Sequence, residues 1–122
     1  TGNMLPIAFQ TAEELRTKGL STKVVSLHTV KPLDCELLSQ IFSQVRLVVT
    51  LEEHSILGGM GASVAEWVTE QPFQRAGLCR IGTPDTFLHE AGGQEYARKG
   101  VQLTAPQIAQ RILKELDVRK PL

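Results

Sequence analysis

The chain has 122 residues, 42% of them apolar and 21% charged, and thirteen Lys and Arg balance thirteen Asp and Glu. A chain of this length buries roughly two thirds of its unfolded surface, enough for one core, and its composition excludes general disorder. Zero net charge leaves no electrostatic footprint for nucleic acid or an acidic membrane surface, and the longest apolar runs, such as residues 46–51, are far too short to span a bilayer. No signal peptide is read at the amino end. Cys35 and Cys79 form no CxxC pair, which argues against a disulfide framework or a zinc site. The expectation is a reduced, cytoplasmic protein.

Residues 4–18 predict a helix, with Leu5, Ala8, Ala12 and Leu15 recurring at helical spacing and Glu13, Glu14 and Arg16 elsewhere on its surface. Pro6 suits a first turn and Gly19 a C-cap. Residues 23–28, Lys-Val-Val-Ser-Leu-His, read as a strand that Pro32 ends. Asp34 is a natural N-cap for a helix carrying Leu37, Leu38, Ile41 and Phe42 on one face. Cys35 sits at that helix start, a place that can lower a thiol pKa, but no histidine lies near it in sequence to make it reactive. Arg46-Leu47-Val48-Val49-Thr50-Leu51 reads as a strand buried on both faces, as in a parallel sheet.

A glycine cluster, Gly58-Gly59-Met60-Gly61, then opens a helix with Val64, Ala65 and Val68 facing inward and Pro72 just past its end. Residues 78–81 give a third strand, in which Cys79 is a small buried hydrophobe. Residues 83–103 are loop-rich. The last helix begins near Thr104 and presents Ile108, Ile112, Leu113 and Leu116. Residues 1–118 form one domain and residues 119–122 a frayed tail.

This alternation predicts a three-layer α/β/α fold around a mostly parallel, doubly wound sheet. One element is wanting. Thr1-Gly2-Asn3 is a glycine turn that runs straight into a helix, and in such a fold a strand normally precedes that turn. The expectation is a domain whose first, central strand is missing, flanked by residues 23–28 and 46–51. The slot would be filled by upstream residues, by another chain, or by the two strands closing on each other.

The richest chemistry lies in Glu52-Glu53-His54-Ser55-Ile56-Leu57-Gly58-Gly59-Met60-Gly61, a strand end followed by a glycine turn into a helix. Ligand sites of open α/β sheets lie at such strand ends. Glu53, His54, Gly58, Gly59 and Gly61 are therefore candidates for an anion or interface site, with the glycines admitting backbone N–H groups to a phosphate or carboxylate. The alternative is a tight turn in which the glycines serve packing, with Glu52 or Glu53 bonding the loop backbone. The acidic pair would itself repel an anion, and the turn lacks the Lys-Ser/Thr of a Walker loop. Adjacent strand residues face opposite ways, so Glu52 and Glu53 do not converge on one site unless the strand has ended before them. No HExxH pattern supplies a metal centre and no G-x-S-x-G elbow a nucleophile. His28 and His89 read as packing or interface residues, and Trp67 as core edge or interface. No residue is assigned a catalytic, cofactor-binding or metal-ligating role.

Five ordered phrases together resemble the transketolase C-terminal domain family. Thr1-Gly2-Asn3-Met4 with Ala8 and Ala12-Glu13-Glu14-Leu15 is similar to its opening. The segment from Val25 through Thr29-Val30-Lys31-Pro32-Leu33-Asp34 resembles its strand and T-[IV]-K-P-[LI]-D run. Glu52 through Gly61, then Val64-Ala65-Glu66, is similar to its EEHSIIGG-x-G…V-A-E stretch. Gly82-Thr83-Pro84-Asp85-Thr86-Phe87 resembles its G-x-P-D-x-F turn, and Leu103-Thr104-Ala105-Pro106-Gln107-Ile108 its last helix start.

The resemblance implies part of a thiamine-diphosphate enzyme that moves two-carbon ketol units between sugar phosphates of the pentose phosphate type. The wording is closest to transketolases encoded as separate N- and C-terminal sections. Deoxyxylulose-phosphate synthases and 2-oxo acid dehydrogenase beta subunits share the domain more distantly. The resemblance places thiamine diphosphate and magnesium in the preceding domains, with no cofactor ligand here. It implies the N-terminal and central domains or subunit as partners, and a homodimer of the full enzyme. Two alternatives are a docking domain of a dehydrogenase beta-type subunit and a small anion-binding module. The family's apolar first strand, directly before T-G-x-M, is what this chain lacks, so it reads as a fragment.

Overall fold

The computed structural model describes residues 2–72, 76–86 and 92–119. A 3-10 turn at Gly2–Met4 leads into α1, Leu5–Thr17; α2 spans Cys35–Gln44, β1 Leu47–Ser55, α3 Met60–Thr69, β2 Gly77–Thr83, α4 Gln94–Gly100 and α5 Ala105–Val118. β1 and β2 pair in parallel, Leu47 opposite Gly77 through Leu51 opposite Ile81, with an irregularity before Ser55 meets Thr83. A parallel pair needs a crossover, and α3 supplies it.

Alternation along the strands sorts the core into two clusters. Leu47, Val49, Leu51, Cys79 and Ile81 pack with Leu15 of α1 and Ile108 and Ile112 of α5. Val48 and Leu78 face the other way, toward Phe42 of α2 and Val64 and Val68 of α3. The result is the expected α/β/α layering, with α1 and α5 on one face of the sheet and α2 and α3 on the other. Trp67 is half-buried at the core edge, its ring meeting Phe42 edge-on at 5.8 Å. Burial pushes the Cys79 thiol pKa up.

Local signals place the helix ends. Gly19 takes φ +78, and the bonds Gly19 N–H to Arg16 O and Leu20 N–H to Leu15 O, each 3.0 Å, close a Schellman motif. The Asp34 carboxylate accepts from Leu37 N–H at 2.9 Å. The Gln107 side chain accepts from the Thr104 N–H at 3.3 Å and its hydroxyl at 2.6 Å.

Three expectations change. Residues 83–103 hold a helix, α4, with no buried residue and so no apolar stripe to announce it. Residues 78–81 belong to the second strand of the structure, because residues 23–28 form no ladder: the sheet of the described residues contains β1 and β2. Residues 20–30 carry no regular structure, and Val25 is 37% exposed. β1 is accordingly half-buried at Leu47, Val48 and Val49 rather than sealed on both faces. The cause is visible between the two segments, where an apolar slot of about 310 Å³ separates residues 20–27 from residues 45–51. A strand exists through its partner, and residues 23–28 have none among the described residues. His89, Phe87 and the tail residues 120–122 lie outside the described residues.

Candidate functional site

The carboxyl end of β1 divides its two glutamates as strand alternation requires. Glu52 turns toward α3 and is 2% exposed. Its Oε2 accepts from Met60 N–H at 2.7 Å and its Oε1 from Gly61 N–H at 2.9 Å. These are two of the orphan amides of the α3 amino terminus, whose partial positive charge favours a carboxylate. The glycines exist for this approach. A Cβ on Gly59 would overlap Glu52 Oε2, and one on Gly61 would lie 2.6 Å from Thr50 Oγ1 and 2.8 Å from Glu52 Oε1. Of the two readings of the glycine turn, the structure favours the tight turn held by a neighbouring carboxylate. An anion arriving at α3 would meet Glu52 already on the amides.

The rest of the loop is tied down as well. Gly58 turns it at φ +71. Ile56 donates its N–H to Thr83 O at 2.8 Å, and Arg80 donates to Ile56 O at 3.1 Å. Ser55 Oγ accepts from Leu57 N–H at 3.2 Å. The Thr50 hydroxyl, buried on the α3 side, has no partner among the described residues.

Glu53 turns the other way and holds α4. Arg98 grips it with two bonds, Nε to Oε1 at 3.0 Å and an Nη to Oε2 at 2.8 Å. Gln94 adds bonds at 3.0 and 3.1 Å. The Arg98 bonds hold the Glu53 carboxyl below its usual range against an opposing cost of burial, with Gln94 and Asn3 adding hydrogen bonds. His54 is exposed, its Nδ1 3.1 Å from Ser55 O.

Of the five candidate residues, Gly59 and Gly61 thus belong to the Glu52 cap, Glu53 belongs to the α4 clasp, and His54 and Gly58 stand exposed on the rim. Sequence reasoning missed Arg98 and Gln94, which lie 45 and 41 residues from Glu53 and carry no motif. Leu57 on the loop and Tyr96 on α4, each 56% exposed, give this edge an apolar outer surface.

Layering, parallel pairing and a strand end closed by its own carboxylates define an α/β module built around an open sheet. The chain belongs to the transketolase C-terminal domain family, whose model, "Transketolase, C-terminal domain", matches residues 1–108. It is 39% identical over 112 residues to a 1-deoxy-D-xylulose-5-phosphate synthase of Rippkaea orientalis, covering 92% of this chain and 17% of that protein. A synthase of the same name from Halalkalibacterium halodurans is 33% identical over 115 residues, covering 94% and 18%. Among solved structures, a split gene transketolase described as an inactive beta4 tetramer matches with TM-score 0.81 and 31% identity, covering 98% of this chain and 37% of that one. The chain therefore spans less than a fifth of these synthases and just over a third of the solved transketolase chain.

Proposed function

We propose that the chain serves as the C-terminal domain or section of a thiamine-diphosphate-dependent transketolase-type transferase, and that it supports assembly without being catalytic alone. The observation that carries this reading is the use made of the strand end: Glu52 and Glu53, the carboxylates best placed for acid–base work, hold α3 and α4 in position. The family match over residues 1–108 supports the enzyme class. The cofactor, with magnesium, supplies the carbanion chemistry of ketol transfer from domains outside this chain. The partners are the N-terminal and central transketolase domains or subunit, joined in a cytoplasmic homodimer that handles sugar phosphates. His54, Gly58, Leu57 and Tyr96 form the rim offered to those partners.

The test is ketol transfer with the chain alone and with its N-terminal and central partner regions added, both with thiamine diphosphate and magnesium. The chain alone should give no turnover and no calorimetric cofactor binding. Turnover from it would overturn the reading. The relatives named deoxyxylulose-phosphate synthase support a second reading, in which the same domain completes such a synthase. The product formed by the reconstituted enzyme separates the two.

A further inference from the structure

β2 has an inner edge, toward β1, and an outer one. Gly77 donates its N–H to Arg46 O at 2.9 Å, in a parallel register that sets Leu47 opposite Gly77 and Leu51 opposite Ile81. Successive residues of a strand turn their backbone groups to alternate sides. Gly77, Cys79 and Ile81 therefore bond β1, while Leu78, Arg80 and Gly82 point their N–H and C=O groups outward. Among the described residues no strand pairs with that outer side. An edge of this kind is a template for any extended chain that reaches it.

α5 lays a charged stripe along this edge. Arg111, Glu115 and Arg119 follow one another at intervals of four and share one helix face. Arg111 donates an Nη N–H to Arg80 O, one of the outward carbonyls, at 3.2 Å. Arg119 covers the start of the strand: a Cβ on Gly77 would overlap its guanidinium, so the bare glycine is what admits it. Glu115 holds Arg119 there, with Oε2 3.5 Å from Nε. From Arg111 to Arg119 the helix rises about 12 Å, and Gly77 to Arg80 is about 10 Å of strand, so the two arginines bracket that stretch. The Cys79 thiol, whose pKa burial raises, also senses Arg111, Glu115 and Arg119, which sets all three beside the middle of β2.

We propose that Arg111 and Arg119 guard the outer edge of β2, and that the partner they exclude is a second copy of this chain adding its own β2. Both arginines are exposed, so their charges stay hydrated while the edge is open. An incoming strand would have to take Arg80 O from Arg111 and bring both guanidinium groups under cover, and a covered charge without a full set of partners is costly. Two copies of one strand meet about a two-fold axis, each offering the same edge. That pairing brings the stripes of both copies to one seam, four arginines against two glutamates, and like charge opposes it. The inference goes beyond the transferase reading, and its test measures no activity.

The experiment compares the chain itself with the double variant Arg111→Ala/Arg119→Ala and with Arg111→Lys/Arg119→Lys, which keeps both charges. Light scattering over a concentration series gives self-association, and hydrogen exchange reads the amides of Leu78, Arg80 and Gly82. The alanine pair should associate at about tenfold lower concentration than the chain itself, the shift that one displaced charge-assisted bond accounts for. On association those three amides should slow about tenfold or more, while the lysine pair stays close to the unsubstituted chain. Equal association of the chain and the alanine pair would overturn the proposal. So would association that leaves the three amides exchanging as in the monomer, because the contact would then lie elsewhere. A lysine pair that associates as readily as the alanine pair would overturn it too, since charge would not be the guard. Where the alanine pair fails to fold, Arg111→Ala alone keeps Arg119 on Gly77 and should shift association in the same direction; no shift would count against the proposal.

Discussion

The carboxyl end of β1 and its outer flank solve the same problem in opposite ways. At the end of the strand, backbone groups that no helix or ladder can satisfy are met by side chains one loop away: Glu52 takes two amides of α3, and Arg80 reaches Ile56 O. Along the flank no side chain of the described residues does this. Residues 20–27 lie across an apolar slot from β1, and apolar walls carry no groups to bond a bare strand edge. The strand end is therefore held by its own side chains, whereas the flank presents apolar walls between residues 20–27 and β1.

The largest effect should follow from removing the cap. Glu52→Ala strips a charged acceptor from two buried amides and leaves a void beside Gly59. Hydrogen bonds to a charged group contribute about 1.5–3 kcal/mol each, so the loss should be about 3–5 kcal/mol, a large share of the roughly 5–15 kcal/mol typical of a domain. Glu52→Gln keeps one acceptor oxygen and should lose less than half as much. Urea denaturation of both variants measures this. A loss below about 1 kcal/mol for the alanine variant would show that α3 begins without the carboxylate.

What could be read in the sequence followed the range of the interactions. The Asp34 cap, the Gly19 terminus and the placement of β1 and β2 rest on residues a few positions apart, and they stand where the pattern put them. The bond from a neighbouring carboxylate to the glycine turn was legible too, because Glu52 and Gly61 are nine residues apart. Residues 23–28 have a strand's composition, but composition alone does not make a ladder, and among the described residues they pair with no strand. α4 went unread because its hold on the fold is polar and distant: Arg98 finds Glu53 across 45 residues.

That clasp sets the second prediction. Arg98→Ala should loosen α4 selectively, raising amide exchange across residues 94–100 while β1 and β2 stay protected. The pair is mostly shielded, its side chains 18% and 29% exposed, yet it lies near the surface, so its contribution to global stability is about 1 kcal/mol. It also fixes a pH dependence. Arg98 lowers the Glu53 pKa in the folded chain below the ordinary 4.5. A lowered carboxylate contributes fully above its unfolded pKa, and the contribution is lost as pH falls through the folded value. Wild type should therefore lose α4 protection as pH drops below about 4.5, and Arg98→Ala should show that change far more weakly. Identical pH profiles in the two proteins would detach Glu53 from the effect.

The smallest effect is predicted at the other arginine–glutamate pair. Arg16 and Glu13 meet at 2.6 Å, closer than Arg98 and Glu53, with side chains 73% and 62% exposed. Mutual bonding lowers the Glu13 pKa and raises that of Arg16, but both lie one turn apart on α1, which the Schellman bonds and the Leu15 core contact already hold. The ion pair links nothing that would otherwise separate, and water screens it. Arg16→Ala should leave the thermal midpoint and the exchange of α1 unchanged within error, in low and high salt alike. The contrast with Arg98→Ala then isolates the variable that matters, which is whether a pair joins two elements rather than how short it is. A salt-sensitive drop in midpoint for Arg16→Ala would break that distinction, because a pair within one helix would then stabilise the fold as the clasp between two elements does.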